Sequence, residues 1–246
     1  MHTIVARTAR CLVGGVLSLL AIGPAFAGSI AVNPVRVALS AKQTTGALVV
    51  RNSGAEPSVV QLQIVSWSQQ DGKDVLVPTK DLLGTPPIFT VPAGGSQTVR
   101  VGLRQRIDAR TEGTYRLILQ EVPPPPKPEF RGLQVALRLS VPIFVAPEAP
   151  SSSTLAWHAD LTSQGDLKIA AANTGNTHVQ VLRFKLSSDG AELSSTTPAE
   201  AAYVLPGQRR EWNMRFTSVP AAGRTVRVEA QTDAGDMQAD VIVSGS

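Results

Sequence analysis

Leu133-Gln134-Val135-Ala136-Leu137-Arg138-Leu139-Ser140-Val141 alternates apolar and polar or small residues for nine positions. Side chains of an extended chain point alternately to opposite faces, so this stretch sets Leu133, Val135, Leu137, Leu139 and Val141 on one side of a β-strand. On pattern alone two readings stand. The apolar face is either turned into the strand's own core, or offered to a partner that lacks a strand.

The same signal recurs on both sides of this stretch. Ser29–Leu39, Ala47–Arg51, Val59–Ser66, Gln97–Leu103 and Tyr115–Gln120 are short β-branched or alternating runs before it. Turn formers such as Asn52-Ser53-Gly54, Asp71-Gly72 and Ala93-Gly94-Gly95 separate them. About seven strands at this spacing predict an immunoglobulin-like sandwich. Pro147 to Ser153 reads as a linker. Beyond it lie Leu155–Leu161, Leu167–Ala172, Val179–Leu186, Glu211–Phe216, Thr225–Ala230 and Met237–Val243, enough for a second, smaller sandwich. Pro123 to Pro126 stiffen the loop Val122–Phe130 and forbid helix there. The expected fold is therefore all-β, two immunoglobulin-like domains at 28–147 and 148–246.

Residues 1–27 read as a secretory signal peptide. Arg7 and Arg10 precede an apolar stretch from Cys11 to Ile22, and Ala25-Phe26-Ala27 supplies the cleavage signature. The apolar run is too short for a membrane span and is broken by Gly23-Pro24. Cleavage removes the one cysteine, so the mature chain, starting near Gly28, has neither disulfide nor thiol chemistry. It also lowers the formal charge from +4 to +2, by loss of Arg7 and Arg10. The remaining positive charges are scattered, which argues against a nucleic-acid partner.

Catalytic signals are missing. There is no Gly-x-Ser-x-Gly elbow, phosphate loop or His-Glu-x-x-His motif. His158 and His178 have no carboxylate or cysteine at ligand spacing, so no metal and no cofactor is expected. Trp67, Trp157 and Trp212 read as packing residues of the two sandwiches.

Several segments, taken in order, resemble the PapD-like periplasmic pilus (fimbrial) chaperones. They are Asn33-Pro34-Val35-Arg36-Val37, Thr85-Pro86-Pro87, Pro92 to Val101, Leu119-Gln120-Glu121-Val122-Pro123-Pro124, and the alternating strand with Ile143-Phe144-Val145-Ala146-Pro147. Asn173-Thr174-Gly175-Asn176 with His178-Val179 extends the likeness into the second half. The resemblance implies two sandwiches in an L-shaped arrangement. It also implies a non-enzymatic periplasmic chaperone that binds pilus subunits and passes them to an outer-membrane usher. Each subunit lacks its last strand, and the chaperone lends its own. Leu133, Val135, Leu137 and Leu139 would then be the apolar plugs. Free relatives often hide this strand by self-association, which extends to an expectation of self-association here, without membrane insertion. A secreted structural or adhesive sandwich protein is the competing reading.

The resemblance further implies a basic pair that binds the subunit's C-terminal carboxylate. Arg36 matches the first member, and a guanidinium can hold a carboxylate with two parallel hydrogen bonds. The second member, usually lysine, aligns with Pro142, which carries no charge. Arg116, on the preceding strand, and Arg138, earlier on the same strand face, are the candidate substitutes. Arg100 and Glu112 stand near positions that form a charge network in relatives, but no matching aspartate is apparent in the second half. The short loop, the lack of cysteines and the Ser140-Val141-Pro142-Ile143-Phe144 ending resemble the archaic or spore-coat-type (Csu-like) branch.

Overall fold

The computed structural model describes residues 30–105, 110–125, 135–195 and 200–245. The signal-peptide segment and Leu133 lie outside the described residues. Among the described residues every regular element is a strand.

Two sheets form the first sandwich. One has the order β1 (Ile30–Asn33), β3 (Thr45–Asn52), β8 (Ser96–Leu103), β6 (Leu82–Thr85). The other runs β2 (Val37–Leu39), β10 (Arg138–Val145), β9 (Gly113–Val122), β4 (Ser58–Gln70), β5 (Lys73–Pro78), with β7 (Ile88–Val91) also on β4. Alternation decides what lies between them. Leu48, Val50, Val99 and Val101 from the first sheet meet Val60, Leu117, Leu119 and Ile143 from the second, all essentially fully buried. Burying each such side chain contributes about 1.5–3 kcal/mol before conformational entropy is subtracted.

Residues 155–244 form one hydrogen-bonded set of eight strands around a second core. Its members are β11 (Leu155–Leu161), β12 (Leu167–Asn173), β13 (Val179–Ser188), β14 (Ala191–Glu192), β15 (Ala202–Val204), β16 (Arg209–Met214), β17 (Thr225–Thr232) and β18 (Gly235–Ser244). Strand β11 joins the two halves, pairing antiparallel with β12 and parallel with β18. Trp157, Phe184 and Trp212 pack together in this core, as the sequence predicts for the two tryptophans.

Each half carries one buried asparagine that ties a turn to its sheet. Asn52 Nδ2 donates to the carbonyls of Glu56 and Val91, and Asn52 Oδ1 accepts from Gly54 N–H. Asn173 does the same with Thr177, Val204 and Gly175. Any side chain at Gly175 would collide with the Ser152 carbonyl, which explains glycine there. The predicted linker is correspondingly not free. Ser152 donates to Asn176 Oδ1 at 2.7 Å and accepts from the Asn176 amide at 3.0 Å.

Three sequence readings need correction. The run Ser29–Leu39 is two strands, β1 and β2, with a bend at Pro34–Arg36 that lets the chain cross from one sheet to the other. Trp67 is not inside the first sandwich; it lies on the sheet's outer face against Phe144, Tyr203 and Leu205. The strand expected from Leu133 begins as a ladder only at Arg138. The reason is in its partner. Arg138 pairs with Gln120, so Val135 would have to pair with Pro123, which has no N–H to donate.

Candidate functional site

Strand β10 has one paired edge and one edge that is half open. Glu121 N–H donates to the Leu137 carbonyl at 2.8 Å on the β9 side. Ala146 N–H donates to the Leu39 carbonyl at 2.8 Å on the β2 side. Main-chain groups alternate sides along a strand, so the even-numbered residues of β10 direct their N–H and C=O away from β9. Strand β2 takes up that edge only at Ile143–Val145. Among the described residues, Arg138, Ser140 and Pro142 therefore face no strand. Proline at 142 costs the β9 ladder nothing, because its missing N–H falls on the open side. It marks the point where β10 exchanges β2 for an empty edge.

The apolar residues of the alternating stretch do not share one environment. Val141 is buried in the chain's own core. Leu139 and Leu137 are half-buried against the rim of that core. Val135 is 69% exposed.

Pro142 also organises the predicted basic residues. Its register partner on β9 is Arg116. On the other side, Val37 pairs with Ile143, so Arg36 stands one step earlier, beside Pro142. Arg36 and Arg116 thus flank the proline on the sheet's outer face. Arg138 is two residues further along, exposed, opposite Gln120. The Arg116 guanidinium lies 3.6 Å above the centre of the Trp67 ring and 5.6 Å from that of Tyr203. Burial lowers its pKa, against the opposing pull of Asp74 and Tyr203, but an arginine remains charged.

Arg36 lines a cleft of about 350 Å³ between the two sandwiches, with Phe144, His178, Glu112 and Asp233 among its walls. Arg36 Nη1 donates to Asp233 Oδ2 at 3.0 Å. Asp233 sits in the β17–β18 turn, where its Oδ1 also accepts from Gln180 N–H at 2.8 Å. The same Oδ2 is 3.5 Å from His178 Nε2. His178 Nδ1 meets Glu112 Oε2 at 2.7 Å, and the His178 amide donates to that oxygen at 2.8 Å. The imidazole is stacked on Phe144 with centroids 3.5 Å apart.

His178 is therefore a bridge between the halves. Burial alone would depress its pKa, but hydrogen bonds to Asp233 and Glu112 and their negative charge outweigh it, so the pKa is raised. For Asp233 burial would raise the pKa, but hydrogen bonds from His178 and Gln180 and the charges of His178 and Arg36 lower it. The sequence reading found neither feature. Glu112 is linked through His178 to Asp233, an aspartate of the second half, while Arg100 lies elsewhere, on β8 opposite Ala47. His178, read from the sequence as isolated, has two carboxylate partners in the fold. Its partners are 66 and 55 residues away in the chain, so local spacing gave no signal. No group of three ligand-type side chains suited to a metal occurs among the described residues.

A further contact joins the two halves through Gln69. Gln69 is buried, and its amide donates to the Tyr203 carbonyl at 2.9 Å and accepts from Leu205 N–H at 3.1 Å.

With this geometry in hand, residues 29–151 match the family described as pili and flagellar-assembly chaperone, PapD N-terminal domain. This chain belongs to that family. The PapD-like chain is 25% identical over 167 residues to the uncharacterized fimbrial chaperone YhcA of Escherichia coli strain K12, covering 67% of this chain and 69% of that one. It is 26% identical over 159 residues to the chaperone protein FaeE of Escherichia coli, covering 63% and 57%. Among solved structures, it is similar to the CsuC–CsuE chaperone–tip subunit pre-assembly complex from archaic Csu pili of Acinetobacter baumannii, at TM-score 0.65 and 19% identity, covering 88% of this chain and 99% of that one. It is also similar to the SafA pilin–SafB chaperone complex of Salmonella enterica, at TM-score 0.59 and 18% identity, covering 88% and 97%. These likenesses bear out the all-β, two-sandwich PapD-like fold read from the sequence.

Proposed function

We propose that this PapD-like chain holds pilus subunits in the periplasm by adding the open edge of β10 to them, then yields them to an outer-membrane usher. The single observation that carries this reading is the half-open edge itself. Arg138 and Ser140 offer main-chain groups with no strand opposite among the described residues, and the edge ends at Pro142 beside Arg36. An incoming strand gains main-chain hydrogen bonds for affinity, and alternate side chains set its register. Leu133, Val135, Leu137 and Leu139 supply the apolar contribution, most of all where they extend beyond the chain's own core. Exposed apolar edges of an incomplete subunit are aggregation hazards, and strand addition covers edge and groove together. The likeness to the archaic Csu chaperone complex supports placement in that branch.

The carboxylate clamp is Arg36 with Arg116. Asp233 engages only one nitrogen of Arg36, which leaves the rest of the fork for a carboxylate. Arg116 brings the second charge to the other side of Pro142. An extended peptide of alternating valine and serine, made with a free C-terminal carboxylate and as the carboxamide, tests this by calorimetry. The acid should bind about tenfold tighter than the amide, as expected for a charge-assisted pair. Arg36→Ala and Arg116→Ala should each erase most of that preference, and Arg138→Ala should keep it. Equal binding of acid and amide by the wild-type chain would remove the clamp.

A further inference from the structure

Glu121 ends the β9 ladder in an unusual way. Its amide donates to the Leu137 carbonyl at 2.8 Å. Its side-chain Oε2 accepts from the Leu137 N–H at 3.2 Å. Both main-chain groups of Leu137 are thus satisfied by one residue. In an ordinary antiparallel pair the second bond would go to a main-chain carbonyl, and here the carboxylate replaces it. The other carboxylate oxygen, Oε1, accepts from Ser58 Oγ at 2.7 Å. Ser58 is buried and lies on β4, next to β9, so the carboxylate is itself held from behind. Gln120 adds a weaker hold, its Nε2 lying 3.4 Å from the Leu137 carbonyl.

The location matters more than the bonds themselves. Strand β9 ends at Val122, just before Pro123, and its ladder with β10 stops at Arg138 opposite Gln120. Without Glu121, the chain before Arg138 would keep only the long Gln120 contact to the Leu137 carbonyl among the described residues. With it, Leu137 is clamped in the extended state. Because main-chain groups alternate, fixing Leu137 toward β9 turns Ala136 and Arg138 toward the open edge.

We propose that Glu121 is the positioning residue of the donated strand, acting through Leu137 to preset Ala136, Arg138 and Ser140 for an incoming chain. This rests on the strand-addition reading above for its purpose, although the pin itself does not. Pre-ordering an interface segment raises affinity by removing the cost of ordering it on binding.

Amide hydrogen exchange on the full mature chain, together with binding of the valine–serine peptide acid, tests the proposal. Glu121→Ala should speed exchange at Leu137 by about tenfold or more, the consequence of losing a hydrogen bond to a charged acceptor. The core amides of Leu117 and Leu119 should be unchanged. Peptide affinity should fall about tenfold, and Glu121→Gln, which keeps an acceptor, should restore most of both. Ser58→Ala should give a smaller change of the same sign. Unchanged exchange at Leu137 in Glu121→Ala would overturn the proposal. So would parallel acceleration at Leu117 and Leu119, which would mark general destabilisation. Loss of Leu137 protection in Glu121→Ala, with a wild-type chain that ignores the peptide, would instead overturn the strand-addition reading and leave the pin in place.

Discussion

Val135→Asp is expected to abolish recovery of a pilus subunit from the periplasm while leaving the chain folded. Val135 is 69% exposed, so its replacement removes almost no packing from the chain's own core. Surface substitutions of this kind usually change stability by no more than about 0.5 kcal/mol. In a complex the same position would enter an apolar groove, where an unpaired carboxylate costs several kcal/mol. The loss in affinity should therefore be at least about a hundredfold. Co-expression with the subunit, followed by affinity recovery, reads the binding, and a urea midpoint on the free variant reads the fold. An unchanged subunit yield would remove Val135 from the donated face. A core position on the same strand cannot serve, because Ile143 is fully buried and its truncation would unfold the sandwich that presents the edge.

The second large effect concerns the histidine bridge. His178→Ala should cost about 3 kcal/mol, in the range found when one partner of a buried ion pair is removed. It strands the Glu112 carboxylate, whose side chain is 6% exposed, and removes the ring stacked on Phe144. The pH dependence has a defined sign. His178 has a folded pKa above its ordinary 6.5, so its contribution is complete below that value and is lost as pH rises through the raised pKa. Asp233 has a folded pKa below its ordinary 3.8, so its contribution is present above that value and is lost as pH falls through the lowered one. Stability of the bridge should therefore plateau between the two and decline on the alkaline side. Urea midpoints measured across neutral and alkaline pH should fall for the wild type and stay flat for His178→Ala. A wild-type midpoint that rises with pH would show the bridge is not a histidinium.

Much of this was legible in the residues. Period-two alternation located β3, β8, β11, β17 and β18 to within a few positions, because one face of each meets a core and the other meets water. Arg36 and the Pro142 departure were legible through resemblance alone. The start of β10 was not, since alternation continues through Leu133 and Val135 while pairing depends on whether Pro123 can donate. Short strands β5, β6, β7 and β15 were missed as well, each too brief for alternation to register, and for β5 exposure adds to this. Lys73–Pro78 is largely exposed, so no core imposes alternation on it. Asp233 lies in a turn, where Asp and Gly are ordinary, and only the closure of the cleft brings it to Arg36 and His178. Glu121 was read as part of a family segment, but its bond to Leu137 depends on β10 returning beside β9 across a proline-rich loop.

The most direct test of the account is amide exchange on the chain in complex with its pilus subunit. Strand addition at the open edge predicts that the Arg138 and Ser140 amides, which face no strand among the described residues, become strongly protected in the complex. Pro142 would mark the end of that protection. A stable complex in which Arg138 and Ser140 exchange as fast as in the free chain would contradict it.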